Sequence, residues 1–289
     1  MSDLYYDPYA AINDPDPYPL YARMREEAPL YYNEAHDFFA VSRFEDVERG
    51  LKDRQSFISG KVAVLELIKS DIEIPPGTVI FEDPPTHTIH RSLLSRMFTP
   101  RKVAALEPAI RRYCADALDP LVGSGRFDLI RDFAAQMPMR VIGMLLGIPE
   151  QDQEAIRERI DEGLKLADDA GDQAPSGDLI LAGAELFSDY IDWRAENPSD
   201  DLMTDLLTAE FEDHTGTTRH LSRDEVLTYV MLLAGAGNET TTRLIGWTGK
   251  LLSEHPEQRR DVVEHPDLLN NAIEEVLRYE APSPVQGRV

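Results

Sequence analysis

One stretch in the second half of the chain combines helical patterning with residues that weaken a helix. Residues 231–245 read M-L-L-A-G-A-G-N-E-T-T-T-R-L-I, and apolar residues continue as far as Leu252. Ser222, with two acidic residues close behind it, is a good helix N-cap. Glycine in mid-helix costs about 1 kcal/mol relative to alanine. The sequence therefore predicts a long helix whose middle is built for something other than helix stability.

A bound flat ligand accounts for this middle section. Small residues at 235–237 let a ligand lie close to the helix backbone. The hydroxyl of Thr240 can bond to the carbonyl of Ala236, four residues earlier, which would open and bend the helix. Glu239 then offers an ionisable group beside the opening, as a proton relay needs. The alternative is a crossing of two helices at small residues, with Glu239 exposed to solvent.

This stretch carries a family resemblance. Residues 236–241, A-G-N-E-T-T, resemble the oxygen-binding signature Ala/Gly-Gly-x-Asp/Glu-Thr-Thr/Ser of cytochromes P450, the haem-thiolate monooxygenases. The resemblance implies a mainly α fold with a small β region, and haem b as the cofactor. It places Ala236 and Gly237 at the haem, and assigns Glu239 and Thr240 to proton delivery and to holding the bound oxygen species.

A second motif precedes the first by about 150 residues. Residues 83–91 read D-P-P-T-H-T-I-H-R, and proline is tolerated in the first turn of a helix. His87 and Arg91 are four apart, so they project from one helix face and can grip carboxylates. They could equally form a solvated basic face, and His87 with His90 could be metal ligands that lack a third partner. In the P450 family the matching segment holds a haem propionate.

A third motif lies near the end of the sequence. Glu275 and Arg278 are three apart on a predicted helix, which by itself indicates an ordinary ion pair. By resemblance they form the Glu-x-x-Arg pair that locks the P450 core on the haem side. Arg288 matches a further haem propionate ligand. The family's order of motifs is kept along the whole chain.

A basic segment interrupts the acidic chain between residues 91 and 112, where Glu107 is the one acidic residue. A local basic patch can steer an acidic partner despite a repulsive overall field. By resemblance, this segment would dock a ferredoxin that receives electrons from NAD(P)H through a ferredoxin reductase. The alternative is a solvated helix face. The candidate docking residues are Arg96, Arg101, Lys102, Arg111 and Arg112.

Composition excludes several classes of protein. The 289 residues are 42% hydrophobic and 28% charged, as in an ordinary globular protein. The net charge of −24 argues against binding nucleic acid or an anionic membrane. We find neither an apolar signal segment at the start nor an apolar run of about 18 residues that could span a membrane. These features predict a cytoplasmic protein. The resemblance to cytochromes P450 implies that it acts on a small apolar substrate.

The iron ligand of the family is the expected feature that the sequence lacks. Cytochromes P450 bind iron through a cysteine in a Phe-x-x-Gly-x-x-x-Cys-x-Gly loop, and the one cysteine here, Cys114, lies in a helical run unlike that loop. We therefore expect residues 1–289 to form a single incomplete P450 domain, as a fragment or a truncated reading frame. The alternatives are an inactive helical ligand-binding protein and a truncation product without function.

The remaining elements follow from apolar patterning and turn residues. We predict a β-hairpin from residues 30–32 and 38–41. A buried core helix is predicted over residues 133–146 and a further helix over 201–211. Two helices, 156–166 and 179–193, would flank an acidic loop at 168–178, the substrate lid by resemblance. Substrate contacts are expected from this loop, from residues 60–79 and from residues 284–285.

Overall fold

The computed structural model describes residues 4–61, 74–149, 152–153 and 177–289. The predicted helix 156–166 and nearly all of the predicted lid lie outside these residues, as does most of the 60–79 segment. The described residues form two compact units, one within Met1–Ile68 and Pro284–Val289 and the other within Lys69–Ser283. The expectation of one domain stays a prediction.

The first unit contains the predicted hairpin. Strands β1 and β2 pair antiparallel, with Leu30 opposite Val41. The backbone of Val289 exchanges hydrogen bonds with Ile58 at 2.8 and 3.1 Å, which fixes the last residues within this unit. A small aromatic core forms around Tyr6 and Met24. The elements are α1 (Pro8–Asn13), α2 (Tyr18–Glu27), β1 (Leu30–Asn33), β2 (Phe38–Val41) and α3 (Phe44–Lys52).

The second unit is mainly helical and is built around its longest helix. Its α-helices are α4 (Thr86–Met97), α5 (Pro100–Leu118), α6 (Met137–Leu145), α7 (Gly177–Glu196), α8 (Leu202–Thr208), α9 (Arg223–Glu254), α10 (Pro256–Glu264) and α11 (Leu269–Tyr279). Shorter turns are 3-10 helices at Val79–Phe81, Asp119–Leu121 and Pro266–Leu268, and a π-helix at Ile130–Ala134. Strands β3 (Glu210–Glu212) and β4 (Thr218–His220) form a second hairpin.

Helix α9 begins where the sequence predicted. The hydroxyl of Ser222 accepts a hydrogen bond from the backbone N–H of Glu225 at 3.2 Å, and the Glu225 carboxylate accepts one from the N–H of Ser222 at 2.7 Å. This reciprocal capping satisfies two N–H groups that a helix start would otherwise leave unbonded. Val226, Tyr229 and Val230 are fully buried just beyond the cap. The start of α9 therefore anchors the main core.

Two predicted helices are wrong in detail. The segment 133–146 is not one helix, because Pro138 lacks a backbone N–H and fits only the first turn of α6, after the π-helix has ended. The segment 201–211 is helical only as far as Thr208. Phe211 instead lies in β3, with its side chain buried, and Gly216 supplies the positive φ of 83° that the turn to β4 requires.

The mainly α fold with a small β region is confirmed. Within the described parts of the chain, no helix is both long enough and apolar enough to cross a membrane.

Candidate functional site

One face of α9 is covered at its start and open further along. Tyr229, Ala236 and Arg243 are seven apart, so they lie on the same side of the helix. Tyr229 is completely buried, whereas Ala236 and Arg243 are exposed. Glu239 and Thr240 lie between the last two and are also exposed. We call the surface of Ala236, Glu239, Thr240 and Arg243 the open face of α9.

Thr240 makes the hydrogen bond expected from the sequence. Its Oγ1 donates to the carbonyl oxygen of Ala236 at 2.9 Å. The helix is nevertheless α-helical throughout Arg223–Glu254, so the hydroxyl adds to the backbone bonding without interrupting the helix. Thr248 makes the same kind of bond to Leu244 at 2.7 Å, two turns on. A back-bonded threonine is therefore not by itself the mark of a site.

The carboxylate of Glu239 is turned away from Thr240, toward the C-terminal end of α9. It accepts a short hydrogen bond from Nη2 of Arg243, one turn further along. Nη1 of Arg243 also lies 3.5 Å from the carbonyl oxygen of Pro282, in the segment after α11. Both side chains of the ion pair are about half exposed, at 47% for Glu239 and 46% for Arg243.

The glycines of α9 differ in whether another helix packs against them. A Cβ added to Gly237 would lie 2.5 Å from Cδ1 of Ile142 on α6, so this glycine allows α6 to pack closely. The same holds for Gly246 against Ile130. A Cβ on Gly235 would have nothing within 4 Å among the described residues. The helix crossing, raised as an alternative from the sequence, therefore accounts for Gly237, and open space lies beside Gly235.

Helix α4 carries the predicted cation pair. His87 is half-buried and Arg91 is exposed, and neither side chain has a hydrogen-bond or ion-pair partner among the residues that the structure describes. They flank His90, whose ring packs edge-on against Tyr229 at a centroid distance of 5.9 Å. This contact places His90 beside Tyr229, which lies about two turns, or roughly 10 Å along α9, before Ala236.

His90 itself was missed as a structural residue. Its Nδ1 lies 2.8 Å from both carboxylate oxygens of Glu82, and one of those oxygens also accepts from the backbone N–H of Gly77 at 3.1 Å. His90 is 5% exposed and belongs to the buried side of α4 with Leu93 and Leu94. That helical spacing of His90 with apolar residues was the available signal.

The remaining predicted ligands are placed as follows. Arg278 donates to both carboxylate oxygens of Glu275, at 2.7 and 2.8 Å, so the predicted ion pair forms. The side chains of the pair are exposed, at 66% for Arg278 and 59% for Glu275, so among the described residues they form a surface ion pair. Arg288 is half-buried in the first unit and donates to the carbonyl of Gly287. Its part in binding propionate stays a prediction.

The basic segment is divided by its own ion pairs. Lys102 pairs with Asp205 on α8, and Arg111 pairs with Glu107 at 2.8 Å. The guanidinium of Arg112 lies 5.5 Å from the centre of the Tyr113 ring. Arg96 and Arg101 are exposed and have no ion-pair partner within the described ranges, so they remain the most available cations of the five.

The chemistry of Cys114 does not suit an iron ligand. Its Sγ lies 3.9 Å from the sulfur of Met137, and burial raises the pKa of the thiol. An iron ligand must be a thiolate, which a raised pKa disfavours. Across the described residues, no group of three or more His, Cys, Asp or Glu side chains could hold a metal ion. The described residues thus include a helix face with small residues and basic side chains on α4, which are the groups that a haem face and haem carboxylates would contact, and none of them is a suitable axial cysteine.

Comparison with known proteins settles the family. The chain is 34% identical over 290 residues to the putative cytochrome P450 123 of Mycobacterium tuberculosis, which covers 99% of this chain and 70% of that protein. It is 33% identical to cytochrome P450 109 of Bacillus spizizenii, over 94% of this chain and 65% of that one. The chain belongs to the cytochrome P450 family.

Solved P450 structures share the fold as well as the sequence. The cytochrome P450 CYP109Q5 of Chondromyces apiculatus superposes with a TM-score of 0.79 at 32% identity, covering 96% of this chain and 68% of that one. P450 EryK, solved in complex with erythromycin B, gives a TM-score of 0.78 at 28% identity, covering 90% and 65%. No protein-family model matches the chain. The P450 assignment makes this protein, by family, a haem monooxygenase.

Proposed function

We propose that this P450 transfers one oxygen atom from dioxygen into a C–H bond of an apolar organic substrate. The second oxygen atom leaves as water, and the reaction consumes two electrons and two protons. The observation that carries the proposal is the open face of α9, where an acid and a hydroxyl, Glu239 and Thr240, are adjacent and both exposed. Haem b, when bound, supplies the activation of dioxygen.

The chain's own residues would hold the haem by its acid groups and by one face. His87 and Arg91 offer two cationic groups that no described acid engages, and charge-assisted hydrogen bonds to carboxylates are among the stronger polar contacts. Ala236 and the free space beside Gly235 allow a flat ring to approach the helix backbone. Gly237 would serve indirectly, by seating α6 against α9. We include Arg288 as a further propionate ligand on the sequence argument alone.

Glu239 and Thr240 would manage protons at this face. The half-exposed carboxylate can exchange protons with solvent, and the hydroxyl can both accept and donate a hydrogen bond. Thr240 is held by its bond to Ala236, so its position is fixed while its lone pairs stay available. Neither residue needs to move far for a proton to pass from solvent to the haem side of the helix.

The test is Thr240→Ala in a haem-loaded chain that includes the iron-ligand cysteine segment of the family, with hydrogen peroxide released per electron as the measurement. We expect that ratio to rise at least several-fold, because a positioned proton donor contributes on the order of 100-fold to a rate. Thr248→Ala is the matched control, since it removes the same type of back-bond from the same helix. Equal coupling in the wild type and Thr240→Ala would reject the assignment.

Electrons would come from NAD(P)H through a ferredoxin reductase and a ferredoxin, in the cytoplasm. The surface of Arg96 and Arg101 supports docking of an acidic ferredoxin, because these cations are exposed and lie in a chain of net charge −24. Reversing both charges should slow reduction at low salt, and the effect should shrink at high salt. Reversing Arg259 and Arg260, exposed on α10, is the control with the same change in charge.

A further inference from the structure

Arg243 joins the candidate proton donor to a second part of the fold. Its guanidinium bonds the Glu239 carboxylate through Nη2 and approaches the carbonyl of Pro282 through Nη1 at 3.5 Å. A planar guanidinium holds two acceptors in a fixed relative geometry, which a lysine ammonium does not. Arg243 therefore relates the position of Glu239 both to α9 and to the segment after α11.

The hydrogen bonds of Glu239 and Thr240 point in opposite directions along α9. Thr240 donates toward the N-terminal side, to Ala236, and the Glu239 carboxylate is engaged on the C-terminal side, by Arg243. No hydrogen bond joins these two side chains within the described part of the chain, so a proton passing between them would need a water link. A water molecule bridges the carboxylate and the hydroxyl for most of the time only if both groups are fixed in position. An unrestrained glutamate side chain samples several rotamers, which would break the bridge.

We propose that Arg243 is a positioning residue that holds the Glu239 carboxylate at the spacing from Thr240 that water can bridge. The inference deepens the proposed function and rests on it, since it concerns the same proton path. It makes Arg243 part of the site although Arg243 touches neither the substrate nor the haem in the proposal. The carbonyl of Pro282 is a second contact for the Arg243 guanidinium, outside α9. An ion pair between two residues of one helix has no such second contact.

Two substitutions and one control define the experiment. Arg243→Gln removes the charge and the paired donors, and Arg243→Lys keeps the charge but loses the two-acceptor geometry. Lys250→Gln is the control, because Lys250 and Glu254 form another i, i+4 pair on α9 at 3.1 Å and are similarly exposed, at 53% and 50%. The haem-loaded proteins are compared for peroxide released per electron, and for kcat and KM of the product-forming reaction.

A second measurement does not depend on turnover. The infrared carboxylate bands of Glu239, labelled with carbon-13 and assigned by subtracting Glu239→Gln, report whether a guanidinium is bonded to it. We expect Arg243→Gln to shift these bands, to raise peroxide release several-fold and to lower kcat with KM unchanged. Arg243→Lys should recover part of the coupling. Lys250→Gln should match the wild type in both measurements.

The outcomes separate this inference from the function on which it rests. If Thr240→Ala uncouples turnover and Arg243→Gln does not, the positioning role is wrong and the proton path stands. Bands of Glu239 that are unchanged in Arg243→Gln would also overturn the positioning role. If neither substitution changes coupling, the proposed proton path itself is wrong. A rise in KM for Arg243→Gln with coupling unchanged would assign Arg243 to substrate binding and reject positioning.

Discussion

The two halves of one face of α9 have opposite surroundings. At the start, Glu225 and Tyr229 are buried beneath β3, β4 and α4, and Arg219 bonds both carboxylate oxygens of Glu225 at 2.7 and 2.8 Å. Two turns later the same face carries Ala236, Glu239 and Thr240 in the open. The first half holds a buried aromatic ring and a largely buried ion pair, whereas the second half carries small and hydroxyl-bearing residues and the exposed ion pair of Glu239 with Arg243.

We infer from this difference that the first half of α9 contributes mainly to stability and the second half mainly to function. Complete burial of a large side chain is worth about 1.5–3 kcal/mol from solvent exclusion alone. The open half lacks this contribution and contains residues that form helices poorly. It presents accessible polar groups instead. Destabilising substitutions should therefore concentrate before Ala234, and functional ones after it.

The largest expected effect is on the covered half. Tyr229→Ala should lower the free energy of unfolding by about 3–5 kcal/mol, because it leaves a cavity where a fully buried aromatic ring was. Thr240→Ala, on the open half, should change it by no more than about 0.5 kcal/mol. Urea unfolding followed by circular dichroism measures both.

Tyr229→Phe separates the ring from its hydroxyl. The Tyr229 hydroxyl is buried without a hydrogen-bond partner among the described residues, so its removal should be neutral or stabilising. A large loss of stability in Tyr229→Phe would mean that the hydroxyl is satisfied in solution. A small loss in Tyr229→Ala would break the contrast between the two halves.

The glycines provide an intermediate effect. Gly235→Ala should stabilise the protein by up to about 1 kcal/mol, since the new methyl would have no atom of the described residues within 4 Å and alanine favours the helix. Gly237→Ala should cost about 1–2 kcal/mol, because Cδ1 of Ile142 must move. Adding Ile142→Val, which removes that methyl, should recover much of the loss. Equal effects at the two glycines would contradict the assignment of Gly237 to the helix crossing.

The smallest expected effect is on the acid limb of stability. Hydrogen bonds from Thr215, from backbone N–H groups and from Arg219 lower the pKa of Asp213 from 3.8 to about 2, and bonding by Arg219 lowers the pKa of Glu225. Both carboxyls therefore stabilise the folded state at pH values above their ordinary pKa values, where they are ionised. This contribution is lost as the pH falls, for Asp213 between about 4 and about 2.

Arg219→Gln tests this linkage. Removing the shared cation should lower stability near neutral pH and flatten its decline between about pH 5 and pH 2. Arg219→Lys, which keeps the charge, should retain part of the slope. Urea midpoints are measured across this pH range. An unchanged slope in Arg219→Gln would show that Arg219 does not set the pKa values of these carboxyls.

Local sequence patterns predicted which helices and strands form more accurately than they predicted where each one begins and ends. The cap at Ser222, the first hairpin and the bond from Thr240 to Ala236 each depend on residues close in sequence, and each is present. The second hairpin was missed because its strands are three residues long and one apolar residue, Phe211, carries its burial. The break before α6 was missed because apolar residues continue through Pro138.

In the candidate site, too, the sequence predicted residues whose motif is local and missed residues whose contacts are distant in sequence. Motif spacing identified Glu239, Thr240, His87 and Arg91, because each motif fits within one or two turns of helix. The buried pair of Glu82 and His90 was not identified, since burial of His90 depends on Tyr229 from a distant part of the chain. Arg243 was passed over because its second contact, Pro282, lies 39 residues further along the sequence.

By itself the sequence determined the family, the helix that carries the open face, and the residues proposed to act there, because each depends on short-range spacing. Only the tertiary structure decided that Gly237 seats a neighbouring helix, that Glu275 and Arg278 lie in solvent, and that Arg243 approaches the carbonyl of Pro282. The physical reason is that burial and partner choice depend on which distant elements pack against a helix face, and a one-dimensional pattern does not record that.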